Sequence, residues 1–246
     1  VWALRDLASL GAVTLARDYT RWIKGFPERA RLEAADEQHG TASYLFGESA
    51  PLLLACSSTS QHATQDLDAI ARDLRKLAML ALPLGIKVAY EALSWGRTVN
   101  EFPVSWDVVC RADCPNLGIG LDSFHIFAAK TSLEAIEELD PDKIFLVQLS
   151  DFMWQETPTF EERMTTARTF RVFPGEGVHS EQLADLVMRL DRIGYRGDYS
   201  FEVFNDDYQQ LPLDTVAERA RRSAVWLHEN VLHRSAPLPS WTHGQA

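Results

Sequence analysis

Residues 117–125 read Leu117-Gly118-Ile119-Gly120-Leu121-Asp122-Ser123-Phe124-His125, and this stretch decides how the fold is interpreted. It begins as an apolar run, which is typical of a buried parallel strand, and it ends in an acid that is followed three residues later by a histidine. Three other apolar runs also end at an oxygen-bearing side chain: Ile86–Glu91, Ile144–Gln148 and Tyr199–Glu202. Because the carboxyl ends of the strands in a β/α barrel meet on one face, we expect these four side chains to surround one centre.

Strands and helices alternate along the chain, which is typical of a parallel sheet. The predicted strands are Ala12–Ala16, Leu52–Cys56, Ile86–Glu91, Leu117–Asp122, Ile144–Gln148, Phe170–Phe173 and Tyr199–Glu202. The predicted helices are Glu28–Leu45, Asp66–Leu82, Val104–Ala112, Ser132–Glu138, Ser180–Ile193 and Leu213–Leu232. A long polar excursion, Asp151–Thr169, follows the fifth strand. The pattern predicts an α/β protein with a TIM (β/α)8-type barrel.

The chain is expected to carry slightly less than a whole barrel. It begins inside an amphipathic helical pattern, and seven strands are predicted where a closed barrel needs eight. The first strand and most of the first helix are therefore expected to be absent. No linker divides the chain, so we predict one catalytic domain, residues 1–235, followed by a disordered tail, residues 236–246.

Composition excludes several classes of protein. The chain has 246 residues, of which 46% are hydrophobic, and its formal net charge is -11 with no basic stripe. This balance argues against nucleic acid or an anionic membrane surface as a partner. No apolar run approaches the roughly 20 residues that span a bilayer, and no signal segment is recognisable, so a cytoplasmic location is expected. Three cysteines give no disulfide framework.

The four strand-end side chains have the composition of a metal site. Glu91, Asp122 and Glu202 are carboxylates and Gln148 is an amide. A single acid at a strand end more often caps the following helix, but three carboxylates facing one another repel unless a cation or shared protons intervene. Oxygen ligands favour a hard divalent ion such as Mg²⁺, Mn²⁺ or Co²⁺.

Other polar and aromatic residues near the strand ends are candidates for contact with a substrate. His125 lies at the predicted transition from strand to loop, where it is positioned for a general acid/base role. Arg17, Arg97 and Arg171 each lie beside a strand end, and guanidinium groups bind carboxylates in a bidentate manner. Trp95 is placed either to line a pocket or to pack in the core.

Five motifs carry a resemblance to a known family. They are Glu91–Arg97, Leu121–His125, Val147–Leu149, Phe173–Gly177 and Phe201–Asp206. Together they resemble the motifs of bacterial 3-dehydroshikimate dehydratases, which belong to the sugar phosphate isomerase/epimerase-like (xylose isomerase-like) TIM barrel superfamily. The likeness extends from about Leu4 to Leu232, and the Ser94–Arg97 loop together with Gln148 is its most specific part. The region Gln38–Ala50 departs from the family pattern.

The resemblance implies both an activity and a set of roles. Glu91, Asp122, Gln148 and Glu202 would bind a divalent metal, His125 would act as the acid/base residue, and Glu91 and Glu202 would take part in catalysis. The implied reaction is that of a lyase in quinate and shikimate catabolism, which dehydrates the small molecule 3-dehydroshikimate to protocatechuate through an enolate. Arg17 matches an arginine-aspartate pair of the family.

Two alternatives stay open at this point. A keto-sugar isomerase or epimerase would use the same frame, with Glu202 as a second base. A truncated, non-catalytic barrel would serve as a binding or oligomerisation partner, and a homo-oligomer is left open in either case. A DNA-repair endonuclease is disfavoured, because it would need several metal-binding histidines and a basic face.

Overall fold

The computed structural model describes residues 52–234. The predicted strand Ala12–Ala16, the predicted helix Glu28–Leu45, Arg17 and the predicted tail lie outside the described residues. The chain splits into two compact units. Within the described residues, the first unit comprises residues 52–121 together with Asp142–Val147, and the second comprises Asp122–Pro141 together with residues 148–234.

The first unit contains most of the predicted strands. These are β1 (Leu52–Cys56), β2 (Lys87–Glu91), β3 (Leu117–Asp122) up to Leu121, and the first four residues of β4 (Ile144–Leu149). The strands are hydrogen-bonded in the order β1-β2-β3-β4. β1 pairs in parallel with β2, placing Cys56 opposite Glu91, and β2 pairs in parallel with β3, placing Glu91 opposite Gly120. The parallel pairing agrees with the alternation of strands and helices in the sequence.

Among the described residues, two α-helices pack against the strands of the first unit: α1 (Leu67–Ala81) and α2 (Phe102–Ala112). Asp66 caps α1 by accepting a hydrogen bond from the Asp68 N–H, as expected for an aspartate at this position. The buried residues of α1, namely Ala71, Leu74, Leu77, Ala78 and Ala81, follow the helical period. They pack with side chains of β1, β2 and α2 in one apolar cluster, whose burial stabilises these helices more than their intrinsic propensity does.

The second unit begins where β3 ends. Its helices are α3 (Ser123–Ala129), α4 (Phe160–Thr169), α5 (Ser180–Ile193) and α6 (Leu213–Val225), with a 3-10 helix at Leu133–Glu138 and a π-helical turn at Trp226–Val231. The end of β4 lies beside the short strand β5 (Tyr199–Phe201). The Glu202 N–H donates to the carbonyl of Leu149 at 3.2 Å, so the acid that follows β5 is fixed to the last residue of β4.

One predicted strand is wrong. Phe170–Phe173 forms only isolated antiparallel bridges, Asp151 with Val172 and Phe170 with Asn205. The Val172 N–H donates to the carbonyl of Asp151 at 2.8 Å, and the Asp151 N–H donates to the carbonyl of Val172 at 2.9 Å. The two partners, Asp151 and Asn205, lie beyond the ends of β4 and β5, and the bridges do not extend into a ladder.

Two helical predictions also need correction. The segment Ser132–Glu138 is a 3-10 helix over Leu133–Glu138, and the polar excursion after β4 contains α4. A capping box between Thr159 and Glu162 begins α4, which compensates for its weak apolar periodicity. None of the helices between residues 52 and 234 is long and apolar enough to cross a membrane.

Candidate metal centre and active site

Asp122 connects the end of β3 to the beginning of α3. Its Oδ1 accepts a hydrogen bond from the Phe124 N–H at 2.8 Å and thereby caps α3. Its Oδ2 accepts one from Nη1 of Arg171 at 2.8 Å and lies 3.6 Å from Nε2 of His125. The side chain is fully buried. Because the strand passes into the helix without a loop, one carboxylate is both a cap and the negative charge of the site.

Arg171 lies between two of the predicted ligands. Nη1 donates to Oδ2 of Asp122 at 2.8 Å and to Oε2 of Glu202 at 3.0 Å, while Nε donates to the carbonyl of Ala167 at 2.8 Å. The guanidinium carbon lies 4.7 Å from the centre of the Phe124 ring. Only 3% of the side chain is exposed. A buried guanidinium in this position compensates negative charge that would otherwise be costly to bury.

Glu202 and Gln148 lie beside this ion pair. The pKa of Glu202 is raised to about 7, chiefly by burial and then by the negative charge of Asp122, while the charge of Arg171 opposes both effects. Gln148 hydrogen-bonds to the carboxyl of Glu202. Its own Oε1 is buried and has no hydrogen-bond partner among the described residues. An unsatisfied buried carbonyl oxygen is costly, and it is usual where a ligand or ion supplies the missing partner.

His125 lies in the first turn of α3 and not in a loop, which corrects the predicted strand-to-loop position. The pKa of His125 is lowered to about 4, chiefly by burial; the charge of Asp122 acts in the opposite direction, and the charge of Arg171 adds to the decrease. The imidazole is therefore neutral at neutral pH and able to accept a proton. The Phe124 ring lies edge-on to it, with the ring centres 5.3 Å apart.

The pKa of Asp122 lies below its usual range, although burial alone would raise it. The charge of Arg171 is the main cause of the decrease, with His125, the hydrogen bond from Arg171 and the capping N–H of Phe124 adding to it. Asp122 is buried and Glu202 partly buried, and the pKa values of their carboxyls are shifted in opposite directions: that of Asp122 is lowered and that of Glu202 is raised. Such a divergence is common in functional sites.

These residues fit a divalent cation. Asp122 and Glu202 approach closely enough for a single nitrogen atom to contact both, and Gln148 contributes an oxygen without a protein partner. The donors are all oxygens, which are the ligands that hard divalent ions prefer. A bound cation would also remove the repulsion that raises the pKa of Glu202.

The other predicted site residues belong to the first unit. Glu91, the last residue of β2, is buried and accepts a hydrogen bond from Sγ of Cys56 at 3.1 Å. Trp95 is partly buried and Arg97 is exposed, both in the loop that follows β2. The structure brings together Asp122, His125, Gln148, Glu202 and Arg171 within the second unit; that Glu91 joins them stays a prediction, as do the substrate contacts of Trp95 and the arginines.

A second buried pair, Asp151 and His179, is not singled out by any sequence pattern. Oδ1 of Asp151 lies 3.1 Å from Nδ1 of His179 and accepts hydrogen bonds from the N–H groups of Phe152 and His179. The imidazole packs against Phe127 and Phe152. The pair fixes the segment after β4 to the start of α5, close in sequence to Gln148 and Arg171. The acid at position 151, two residues after the end of β4, is the only hint in the sequence.

Comparisons with known proteins identify the family and the fold of the chain. The model of the xylose isomerase-like TIM barrel family matches residues 17–229. A 3-dehydroshikimate dehydratase of Pseudomonas aeruginosa is 39% identical over 76% of this chain and 29% of its own length. An inosose isomerase of Halalkalibacterium halodurans is 31% identical over 62% of this chain and 51% of its own. A crystal structure of the IOLI protein with a bound zinc atom has a TM-score of 0.64 and 26% identity, covering 74% of this chain and 64% of that one. The chain thus spans less than a third of the length of the curated dehydratase.

Proposed function

The chain belongs to the xylose isomerase-like TIM barrel family, and from that premise we propose that it is a metal-dependent lyase that dehydrates 3-dehydroshikimate to protocatechuate. One observation carries the proposal: the buried Asp122, Gln148 and His125 and the partly buried Glu202 lie together in the second unit, which combines oxygen donors for a cation with a neutral imidazole. The similarity to a dehydratase of Pseudomonas aeruginosa supports the choice of substrate.

The ligands of the ion would be Asp122, Gln148 and Glu202, with Glu91 as the fourth by its place at a strand end. A divalent ion supplies Lewis acidity, which acidifies the proton next to a ketone and favours the enolate that results. Mg²⁺, Mn²⁺ and Co²⁺ suit this donor set best. The zinc atom in the structure of the similar IOLI protein supports a cation at this centre.

His125 is the residue proposed to move the proton. Nε2 lies 3.6 Å from Oδ2 of Asp122, and the ring is neutral at neutral pH because its pKa is lowered to about 4. It accepts the ring proton of the substrate that lies between the ketone and the leaving hydroxyl. The carboxylate of Asp122 then stabilises the imidazolium that forms, and the imidazolium returns the proton to the departing hydroxyl, which leaves as water.

Purified protein tests the proposal directly. We would incubate it with 3-dehydroshikimate and Mn²⁺, Mg²⁺ or Co²⁺ and follow the absorbance of the aromatic product, with an EDTA-treated sample as the control. Metal-dependent formation of protocatechuate is the expected result. If none of the three metals yields product although the protein is folded and binds metal, the proposed reaction is wrong.

A second candidate is supported by the similarity to an inosose isomerase. Isomerisation of a cyclic keto-sugar also begins with removal of a proton next to a ketone, so the same metal centre and the same base would serve. Incubation with inosose under the conditions of the dehydratase assay separates the two, because isomerisation yields no aromatic product. Turnover of inosose alone would favour this alternative.

A further inference from the structure

Arg171 makes contacts that its predicted role in substrate binding does not require. Nη1 donates to Oδ2 of Asp122, Oε2 of Glu202, Oγ of Ser150 and the carbonyl of Glu202, at 2.8, 3.0, 3.3 and 3.3 Å. Only 3% of the side chain is exposed. One nitrogen atom thus lies among the oxygens that the proposed function assigns to a metal ion.

We propose that Arg171 is an internal cation that binds the metal-ligand carboxylates when no ion is present, and that metal binding displaces Nη1 from them. The proposal rests on the metal site of the proposed function and adds to it a residue that opposes metal binding. Its basis is geometric: the guanidinium nitrogen and the ion would use the same oxygen atoms.

The two oxygens of Asp122 show why the competition is direct. Oδ1 caps α3 through the Phe124 N–H at 2.8 Å, so it is committed to the fold. Oδ2 does not hold the helix, and it is the atom that accepts the hydrogen bond from Arg171. An ion at bonding distance from Oδ2 and from Oε2 of Glu202 would lie where Nη1 lies, and two cations that close repel each other strongly.

The backbone of Arg171 is held independently of the guanidinium, whose own contacts would move with a displaced Nη1. Nε donates to the carbonyl of Ala167 at 2.8 Å, and the guanidinium lies 4.7 Å from the centre of the Phe124 ring. Asn205 holds the carbonyl of Arg171 through its Nδ2 at 2.8 Å. Because the guanidinium is planar, displacement of Nη1 moves Nε and Cζ with it, while the hydrogen bond from Asn205 continues to hold the backbone that carries the side chain.

Titration calorimetry with Mn²⁺ tests the proposal on four forms of the full chain: wild type, R171M, R171K and R189M. R171M keeps most of the side-chain volume and removes the charge, so we expect its Kd for Mn²⁺ to fall about tenfold or more. R171K keeps the charge, so its Kd should stay closer to that of the wild type. Arg189 pairs with Asp185 and Glu137 away from the cluster, and R189M should bind Mn²⁺ as the wild type does.

A Kd of R171M that is unchanged or higher than that of the wild type would overturn the proposal, since Arg171 would then not compete with the ion. If R171M does not fold, a crystal structure of the wild type with Mn²⁺ decides the matter. Displacement of Nη1 beyond hydrogen-bond distance from Oδ2 of Asp122 supports the proposal, and an intact contact contradicts it.

The outcomes also separate this inference from the proposed function. Equal Mn²⁺ affinity in wild type and R171M, together with metal-dependent dehydration by the wild type, rejects the role of Arg171 alone. Failure of both forms to bind Mn²⁺ rejects the metal centre and the inference with it. Tighter binding by R171M without dehydration of 3-dehydroshikimate by the wild type supports the inference and rejects the proposed reaction.

Discussion

Asp122 shows how much chemistry a single side chain can combine at a strand end. One oxygen caps α3, and the other accepts an ion pair from Arg171 and faces His125. The same surroundings keep the pKa of Asp122 low and leave His125 neutral. A carboxylate that stays ionised beside a neutral imidazole is a suitable arrangement for a proton transfer in which the imidazole gains charge.

Removal of the His125 side chain should lower the rate of the reaction without changing the affinity for the metal ion. We expect H125A to lower kcat about 100-fold or more, which is the usual contribution of a general base, while the Kd for Mn²⁺ stays unchanged. The matched control is H62A, because His62 is exposed. Steady-state rates and a metal titration measure both effects. Wild-type turnover by H125A would exclude His125 from the mechanism.

Glu202, in contrast to His125, is expected to contribute by binding the metal ion. E202Q keeps the size of the side chain but removes the charge that would bind the cation, so the Kd for Mn²⁺ should rise roughly tenfold or more. E218Q is the control, since Glu218 pairs only with Arg221 among the ion pairs of the described residues and is exposed. An unaltered Mn²⁺ titration of E202Q would remove Glu202 from the set of ligands.

Gly177 is required by close packing around Asp151. A Cβ atom at this position would overlap the carboxylate of Asp151 and the carbonyl of Phe152. We expect G177A to lower the free energy of unfolding by about 3 kcal/mol, a typical cost of overpacking. Gly85 is the comparison: its φ is +67° with nothing near the added atom, so G85A should cost only about 1 kcal/mol of backbone strain. Urea unfolding measures both, and equal losses would contradict the overlap.

At the scale of the element, strands and strongly amphipathic helices were predictable. β1 and α5 have the bounds that their sequence patterns predict, and β3 ends at Asp122 as expected. Buried strands are continuous apolar runs, and α5 has a clear apolar stripe that ends at Gly194 with φ of +97°. Pattern and packing agree in these elements, and local reasoning is then sufficient.

Elements that depend on a few polar contacts were not predictable. α3 begins immediately after Asp122, where the sequence predicts a transition from strand to loop, because the side chain of Asp122 caps the helix directly. α4 has little apolar periodicity and depends on the capping box of Thr159 and Glu162. Phe170–Phe173 has the composition of a strand, but the segments beside it allow only isolated bridges. Local caps decide where the two helices begin, and tertiary contacts decide the structure of Phe170–Phe173.

The candidate site was predictable in part for the same reason. The rule that strand ends converge identified Asp122, Gln148 and Glu202, and the structure places these three together in the second unit. The position of Arg171 between Asp122 and Glu202 depends on a segment that is not a strand, so no periodicity indicates it. The pair Asp151 and His179 depends on contacts between residues 28 positions apart.

β5 offers a prediction about pH. Tyr199 begins β5, and burial together with the charge of Asp191 raises its pKa to about 12 from the usual 10.0. The folded state favours the neutral phenol of Tyr199. The stability that depends on the neutral phenol is therefore complete below about pH 10, and it is lost as the pH rises toward 12 because the unfolded chain ionises first. Y199F keeps the packing on Tyr195 and cannot ionise.

The melting temperature of the wild type should therefore fall more steeply than that of Y199F between pH 10 and pH 12. Measurements at pH 8, where the phenol is neutral in both states, serve as the control for any change in packing. Parallel curves for the two proteins over the alkaline range would show that Tyr199 ionises as easily in the folded state as in the unfolded chain.

At the scale of the whole molecule, the net charge affects the binding of both the proposed metal ion and the proposed substrate. The chain carries a formal charge of -11, which attracts a divalent cation and repels an anionic substrate. Salt screens both effects over about 10 Å at 0.1 M. The cation would compensate part of this charge at the centre that is to bind the anion, so a metal-first order of binding is electrostatically favoured.

Binding of the ion should also stabilise the folded chain. A ligand that binds only the folded state adds about 2.7 kcal/mol at a free concentration of 100 times its Kd. For a chain of this size that corresponds to a rise in the melting temperature of roughly 5–10 °C. Differential scanning fluorimetry with Mn²⁺ should show this rise, and excess EDTA should reverse it. E202Q, with its ligand charge removed, should rise less at the same Mn²⁺ concentration. A rise as large in E202Q would mean that the stabilising ion binds elsewhere on this acidic chain.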